Sequence, residues 1–235
     1  MPPVTYETWL DAGHLLFLDA DLSATDKQDT LQSTLYFQLA ASKKVDRLQH
    51  IEGWFDVYQN CLRSLGWSVL KEGHMNERYP GSLAFTLSDV LGALARRGLP
   101  FDVNGIAQAV RAGDSRLSRQ GLDQFSRQSV GVLGDGEEPL RQVAALLGTA
   151  HSGARMNVLL VHFKTRQVVS DDITQATFKS CHIQGKVTAS WLSARPDPWQ
   201  FPDYRGEMIE RLSARVTSEL LRIDKPDTRA GKGGH

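Results

Sequence analysis

The sequence predicts an α+β fold: a helix-rich first two-thirds packed with a small antiparallel sheet and a C-terminal helix. Three observations carry this. Apolar residues recur at three- and four-residue steps in most stretches before Leu147. From Met156 the pattern turns short, β-branched and alternating. After the prolines at 196, 198 and 202, a four-residue stripe returns in Met208, Leu212, Val216 and Leu220. Helical spacing places apolar groups on one stripe, and alternation places them on one face of a strand.

Leu15-Leu16-Phe17-Leu18 reads as a short strand or docking arm ending in a turn at Asp19-Ala20-Asp21. Thr25 or Asp26 offers an N-cap, and Leu31, Leu35 and Leu39 mark the helix behind it. Trp54, Phe55, Tyr58, Leu62 and Leu65 mark a second helix, stopped by Gly66 because glycine takes the left-handed conformation without steric cost. Trp67 to Lys71 reads as a short strand. Thr86-Leu87-Ser88-Asp89 has the form of a capping box, and Val90, Leu91 and Leu94 follow at helical spacing. Further helices are expected over Val103–Ala112 and, after Glu137-Glu138-Pro139, over Leu140–Leu147.

Val158-Leu159-Leu160-Val161 reads as a buried strand. Ala176–Ser180 and Val187–Trp191 read as two more, joined by a turn at Gln184-Gly185-Lys186. Connections this short exclude helical crossovers between them, so that sheet is expected to be antiparallel. A final helix is expected over Asp203–Ile223. Residues 1–223 read as a single α+β domain, and 224–235, without apolar anchors, as a disordered tail.

Composition narrows the function classes. Hydrophobic residues make up 41% and charged residues 23% of 235 residues, enough to build a core. Lys+Arg and Asp+Glu are both 27, so no net field favours nucleic acid. Two cysteines, Cys61 and Cys181, do not make a disulfide scaffold; both read as small hydrophobes, with a single bridge between them left open. No apolar run approaches the roughly 18 to 20 residues of a spanning helix. The start lacks a basic region followed by an apolar one, so a cytoplasmic location is expected, export without a signal leaving no trace.

The stretch Ser33–Lys44, then Trp54–Tyr58 with Leu62–Trp67, then Phe85-Thr86-Leu87, together resemble an uncharacterised family of small soluble bacterial and fungal proteins. The resemblance covers about the first 95 residues in detail and the rest in pattern. It implies amphipathic helices followed by an antiparallel sheet and a terminal helix. It implies no activity and no site residues.

Two constellations bear on chemistry. Leu15–Leu18 delivering Asp19 and Asp21 is similar to the first motif of haloacid-dehalogenase-type phosphohydrolases, whose two aspartates act with magnesium as nucleophile and proton carrier. Asp171 and Asp172 would complete a metal-binding set with Asp19 and Asp21. Short motifs of this kind arise often by chance, the same aspartates read first as turn or cap residues, and the alternation of parallel strands and helices that the motif requires is missing from the pattern. The second constellation is Trp191, Trp199, Phe201 and Tyr204, in and beside a proline-rich loop. These aromatics either pin the last helix or form a binding surface. With no P-loop, nucleophile elbow, dinucleotide fingerprint or metal-spaced histidines, the leading expectation is a non-enzymatic protein, toxin- or virulence-like. It would bind a partner protein or a membrane surface, with no cofactor and no resident metal. The competing expectation is a magnesium-dependent phosphohydrolase using Asp19 and Asp21.

Overall fold

The computed structural model describes residues 5–97, 119–135, 139–169 and 172–224. The elements run β1 (Tyr6–Asp11), β2 (His14–Asp19), α1 (Ala24–Lys44), α2 (Ile51–Ser64), β3 (Trp67–Glu77), β4 (Ala84–Phe85) and α3 (Leu87–Arg96). They continue α4 (Arg119–Ser129), β5 (Val130–Leu133), β6 (Leu140–His151), β7 (Arg155–Thr165), β8 (Phe178–Lys179) and β9 (Ile183–Pro196). The last are α5 (Phe201–Leu212), α6 (Arg215–Glu219) and β10 (Leu220–Arg222).

One eight-stranded sheet organises the molecule, in the order β10-β1-β2-β6-β7-β9-β3. β5 lies beside β6 off that path. Strand β6 shares one edge between two partners. β2 runs parallel to its Leu146–Ala150 half, and β5 runs antiparallel to its Leu140–Val143 half. Every other pair in the sheet is antiparallel. β4 and β8 form a separate two-stranded ribbon.

Helices cover both faces. On one, Leu35 and Phe37 of α1, Trp54, Tyr58 and Leu62 of α2, and Met208 and Leu212 of α5 pack on Leu146, Val158, Leu160 and Leu192. On the other, Val90, Leu91 and Leu94 of α3 and Leu122 and Phe125 of α4 pack on Val143, Ala145, Leu159, Val161 and Trp191. Consecutive strand residues therefore serve opposite cores. Truncating the fully buried Trp54 to alanine would cost about 3–5 kcal/mol on this basis.

Local chemistry sets the boundaries. Ser23 caps α1, its Oγ accepting the Asp26 amide at 3.0 Å. Thr86 and Asp89 form a reciprocal capping box on α3. Ala12 and Gly13 join β1 to β2 with φ of 44° and 85°, the paired left-handed residues of a type I′ hairpin. Ser213, at φ 40°, ends α5.

These coordinates correct the expected fold class. β1, β2 and β3 lie in the first 77 residues and belong to the same sheet as β6, β7 and β9, so helices and strands interleave throughout. The stretch expected as a helix from Leu140 is β6. A strand sandwiched between two helical layers is apolar on both sides, and a short continuous apolar run does not distinguish it from a buried helix. The Gln184–Lys186 turn lies within β9, which pairs with β7 and β3 rather than with β8. The expected final helix is divided into α5, α6 and β10. The expected helix Val103–Ala112 and the tail from 225 lie outside the described residues.

Candidate functional site

The loop between β9 and α5 is a fixed turn. The Asp197 amide donates to the Gly66 carbonyl at 2.8 Å, tying the loop to the α2–β3 junction. The Asp197 carboxylate accepts the Trp199 and Gln200 amides at 2.9 and 3.1 Å. Those two amides hold its carboxyl below the usual range. The Phe201 amide closes the turn onto the Asp197 carbonyl at 3.0 Å. Gly66 has φ 73°, and a Cβ there would stand 2.6 Å from the Phe201 nitrogen, so this position requires glycine.

The four aromatics read as a possible binding set are divided. Trp191 is buried with the α3/α4 core, over Gly73. Phe201 is buried with the opposite core, edge-on to Trp67 at 5.9 Å. Phe201 thus pins the turn, while Trp199 is 86% exposed and Tyr204 is 39% exposed. Pro198 and Pro202 flank Trp199 and are exposed. One residue beyond the Met156–Ala194 pair, β7 and β9 carry Arg155 and Arg195, both exposed at this end of the sheet.

The aspartates are placed differently. Asp19 ends β2, and its Oδ1 accepts the Asp21 amide at 3.0 Å, closing a turn. Its Oδ2 lies 3.9 Å from His151 Nδ1. Asp172 follows β7, at the end of the sheet opposite Asp19, and accepts the amide and hydroxyl of Thr174 at 2.9 and 2.6 Å. Asp171 lies outside the described residues. Among the described residues, no three His, Cys, Asp or Glu side chains gather where they would hold a metal ion. Among the described contacts, Asp19, Asp21 and Asp172 are held by local turns, and the geometry lends the phosphohydrolase reading no support. Cys61 and Cys181 are both free thiols, the latter exposed.

Two polar regions had no signal in the sequence. The first is buried between the sheet and α1/α2. Thr34 donates to the Asp11 carboxylate, and Gln38 Nε2 donates to the Asp11 carbonyl at 2.8 Å. Arg47 Nη2 donates to the carbonyls of Gly13 and Ala144 at 3.2 and 3.0 Å, and its guanidinium lies 5.1 Å from the Trp54 ring centroid. Ala144 is the β6 residue between the reaches of β2 and β5, so Arg47 fills the joint between them. Burial raises the Asp11 carboxyl well above its usual range. Burial, then the Arg47 charge, pushes His14 down to about 3. Arg47 falls only to about 10 and keeps its charge.

The second region is a cleft of about 560 Å³ where the α2 N-terminus meets the lower sheet, lined by Glu52, Gln142, His162, Lys164, Lys186 and Thr188 among others. His162 is 6% exposed, and its Nε2 has no hydrogen-bond partner among the described residues. Burial lowers its pKa, with Glu52 opposing.

Fold and site together define a three-layer helix–sheet–helix protein with one rigid, exposed aromatic turn. No family model and no curated protein matches the sequence. Three solved structures share part of the arrangement. A delta-endotoxin is 11% identical with a TM-score of 0.43, over 78% of this chain and 80% of its own. The activated Cyt2Ba monomer of Bacillus thuringiensis subsp. israelensis is 10% identical with a TM-score of 0.44, over 78% and 96%. The Evf virulence factor is 10% identical with a TM-score of 0.37, over 91% and 84%. These findings correct the family resemblance read from Ser33–Lys44 and Trp54–Trp67: the weak likeness is to structures named as a toxin, Cyt2Ba and a virulence factor, not to a family without known activity.

Proposed function

We propose that the chain is a non-enzymatic, toxin- or virulence-like protein that docks onto a membrane surface through the Trp199 turn. The observation behind this reading is the 86% exposure of Trp199 on a turn fixed at both ends. The exposed Pro198, Pro202 and Tyr204 lie within five residues of Trp199, so the exposed apolar surface is gathered at one turn rather than scattered singly. Tryptophan suits the boundary between headgroups and hydrocarbon because its ring is apolar and its N–H polar. Because the turn is already ordered, docking costs little further conformational entropy. Arg155 and Arg195 at the same end would add attraction to anionic headgroups, each worth about 1 kcal/mol near the surface. No described helix is long and apolar enough to cross a membrane.

Co-sedimentation with vesicles containing anionic lipid tests the reading. The wild type is expected to bind, and Trp199→Ala to bind about tenfold more weakly, the loss of roughly 1.4 kcal/mol of apolar burial. Equal binding by both proteins, or none by the wild type, refutes it. Dye release from the same vesicles separates surface docking from permeabilisation.

A further inference from the structure

The two edges of the sheet are unlike. One is β10, three residues long, Leu220–Arg222. The other is β3, eleven residues long, paired to β9 on one side and to no described strand on the other. A long edge presents a row of unpaired backbone donors and acceptors, which is a template for another strand. A bulge interrupts β3 between Val69 and Lys71, and from Lys71 to Glu77 its register is regular. His74 is the centre of that regular segment.

The charge order along the segment selects among pairing modes. In an antiparallel pair of identical strands, a two-fold axis through His74 sets Lys71 opposite Glu77, Glu72 opposite Asn76 and Gly73 opposite Met75. Directly opposed residues share a face, and opposite charges there are favourable. This register makes two Lys71–Glu77 pairs and opposes no like charges. In-register parallel pairing would instead line Lys71 with Lys71 and Glu77 with Glu77. The edge carboxylates are already oriented within each chain: Arg97 pairs with Glu77 and Arg63 with Glu72. On the α1/α2 face, a cleft of about 570 Å³ beside Glu72, His74 and Asn76 leaves room for a neighbour's side chains.

We propose that two copies of the chain associate edge to edge, β3 antiparallel to β3 about His74, joining two eight-stranded sheets into one. This interface is independent of the Trp199 turn, and its failure would leave the membrane reading untouched.

Sedimentation equilibrium of the full chain, from about 1 to 100 μM, reads the association in the range where modest interfaces dissociate. The wild type is expected to shift from monomer to dimer across it. Lys71→Glu and Glu77→Lys are each expected to weaken association about tenfold, and the double exchange to restore it. A second measurement uses His74→Cys with Cys61 and Cys181 both changed to Ser. Opposed residues of an antiparallel pair lie about 4.5–5.5 Å apart between Cα atoms, within disulfide reach, so mild oxidation is expected to give a covalent folded dimer. A monomeric wild type that also gives no His74→Cys dimer overturns the proposal. So does a double exchange that associates no better than the single ones.

Discussion

Trp199 and Arg47 are each placed against their chemistry, one apolar and 86% exposed, the other charged and half-buried with its guanidinium over the Trp54 ring. The comparison separates two uses of misplaced groups. Trp199 touches little, so its exposure is a standing cost that only a partner or membrane removes. Arg47 holds the carbonyls of Gly13 and Ala144 and lies over Trp54, so its desolvation is offset inside the fold. As proposed, Trp199 serves a surface outside the molecule, whereas Arg47 is part of how the sheet is assembled.

Mutations that act on one region and spare the other sharpen this contrast. The largest effect is expected for Arg47→Ala, which leaves both carbonyls without their donor and removes the packing on Trp54. Urea unfolding should show a loss of about 3 kcal/mol, and a loss below about 1 would mean that the guanidinium is not holding the joint.

The acid–base behaviour of the same region comes next. Burial raises the Asp11 carboxyl in the fold, and the unfolded carboxyl ionises above about pH 4, so from there up to the raised value the folded state binds more proton. His14, at about 3 in the fold, is neutral there and protonated when unfolded below about pH 6.5. Between about pH 4 and 6.5 the two contributions oppose each other. Rising pH weakens the fold through Asp11, up to its raised value, and acidification weakens it through His14. Asp11→Asn removes one side of the balance. Its stability should fall on acidification from pH 6.5 towards 4 more steeply than that of the wild type, because His14 is then unopposed. Parallel wild-type and variant curves would break the assignment.

Gly66→Ala forces a left-handed φ and a 2.6 Å contact with Phe201, and should cost about 2 kcal/mol. It should also loosen the turn and weaken vesicle binding. The smallest effect on stability is expected for Trp199→Ala, within about 0.5 kcal/mol of wild type by the same unfolding measurement, although it removes the docking group.

The sequence made some of this legible and hid the rest for physical reasons. The helix carrying Trp54, Tyr58 and Leu62 follows from periodicity, and the Leu15–Leu18 and Val158–Val161 strands from short apolar runs bounded by turn and polar residues. β6 does not, because it has two buried faces and therefore no period. Most of β3 was missed because beyond Val69 it is a polar edge, Lys71-Glu72-Gly73-His74, which looks like a turn-rich segment. The proline-rich loop marked Trp199 and Tyr204 as surface aromatics, but the burial of Trp191 and Phe201 depends on which face each strand and helix residue meets. The Asp11–His14–Arg47 group left no local trace. Asp11-Ala12-Gly13-His14 form the β1–β2 hairpin turn, which was not among those expected from the sequence, and the Arg47 contact to Ala144 spans 97 positions.

The shared edge of β6 bears on synthesis. A nascent chain halted before Leu140 already contains the hairpin β1–β2, both large helices and β3, yet lacks the strands that β2, β5 and β3 lie against. β2 and β5 can be zipped in only once β6 has been made, and β3 only once β9 has, and the parallel β2–β6 contact closes a loop of more than 120 residues. Such long-range closure slows folding. The helices before residue 97 must therefore wait for later strands, their apolar faces uncovered until β6, β7 and β9 have been made.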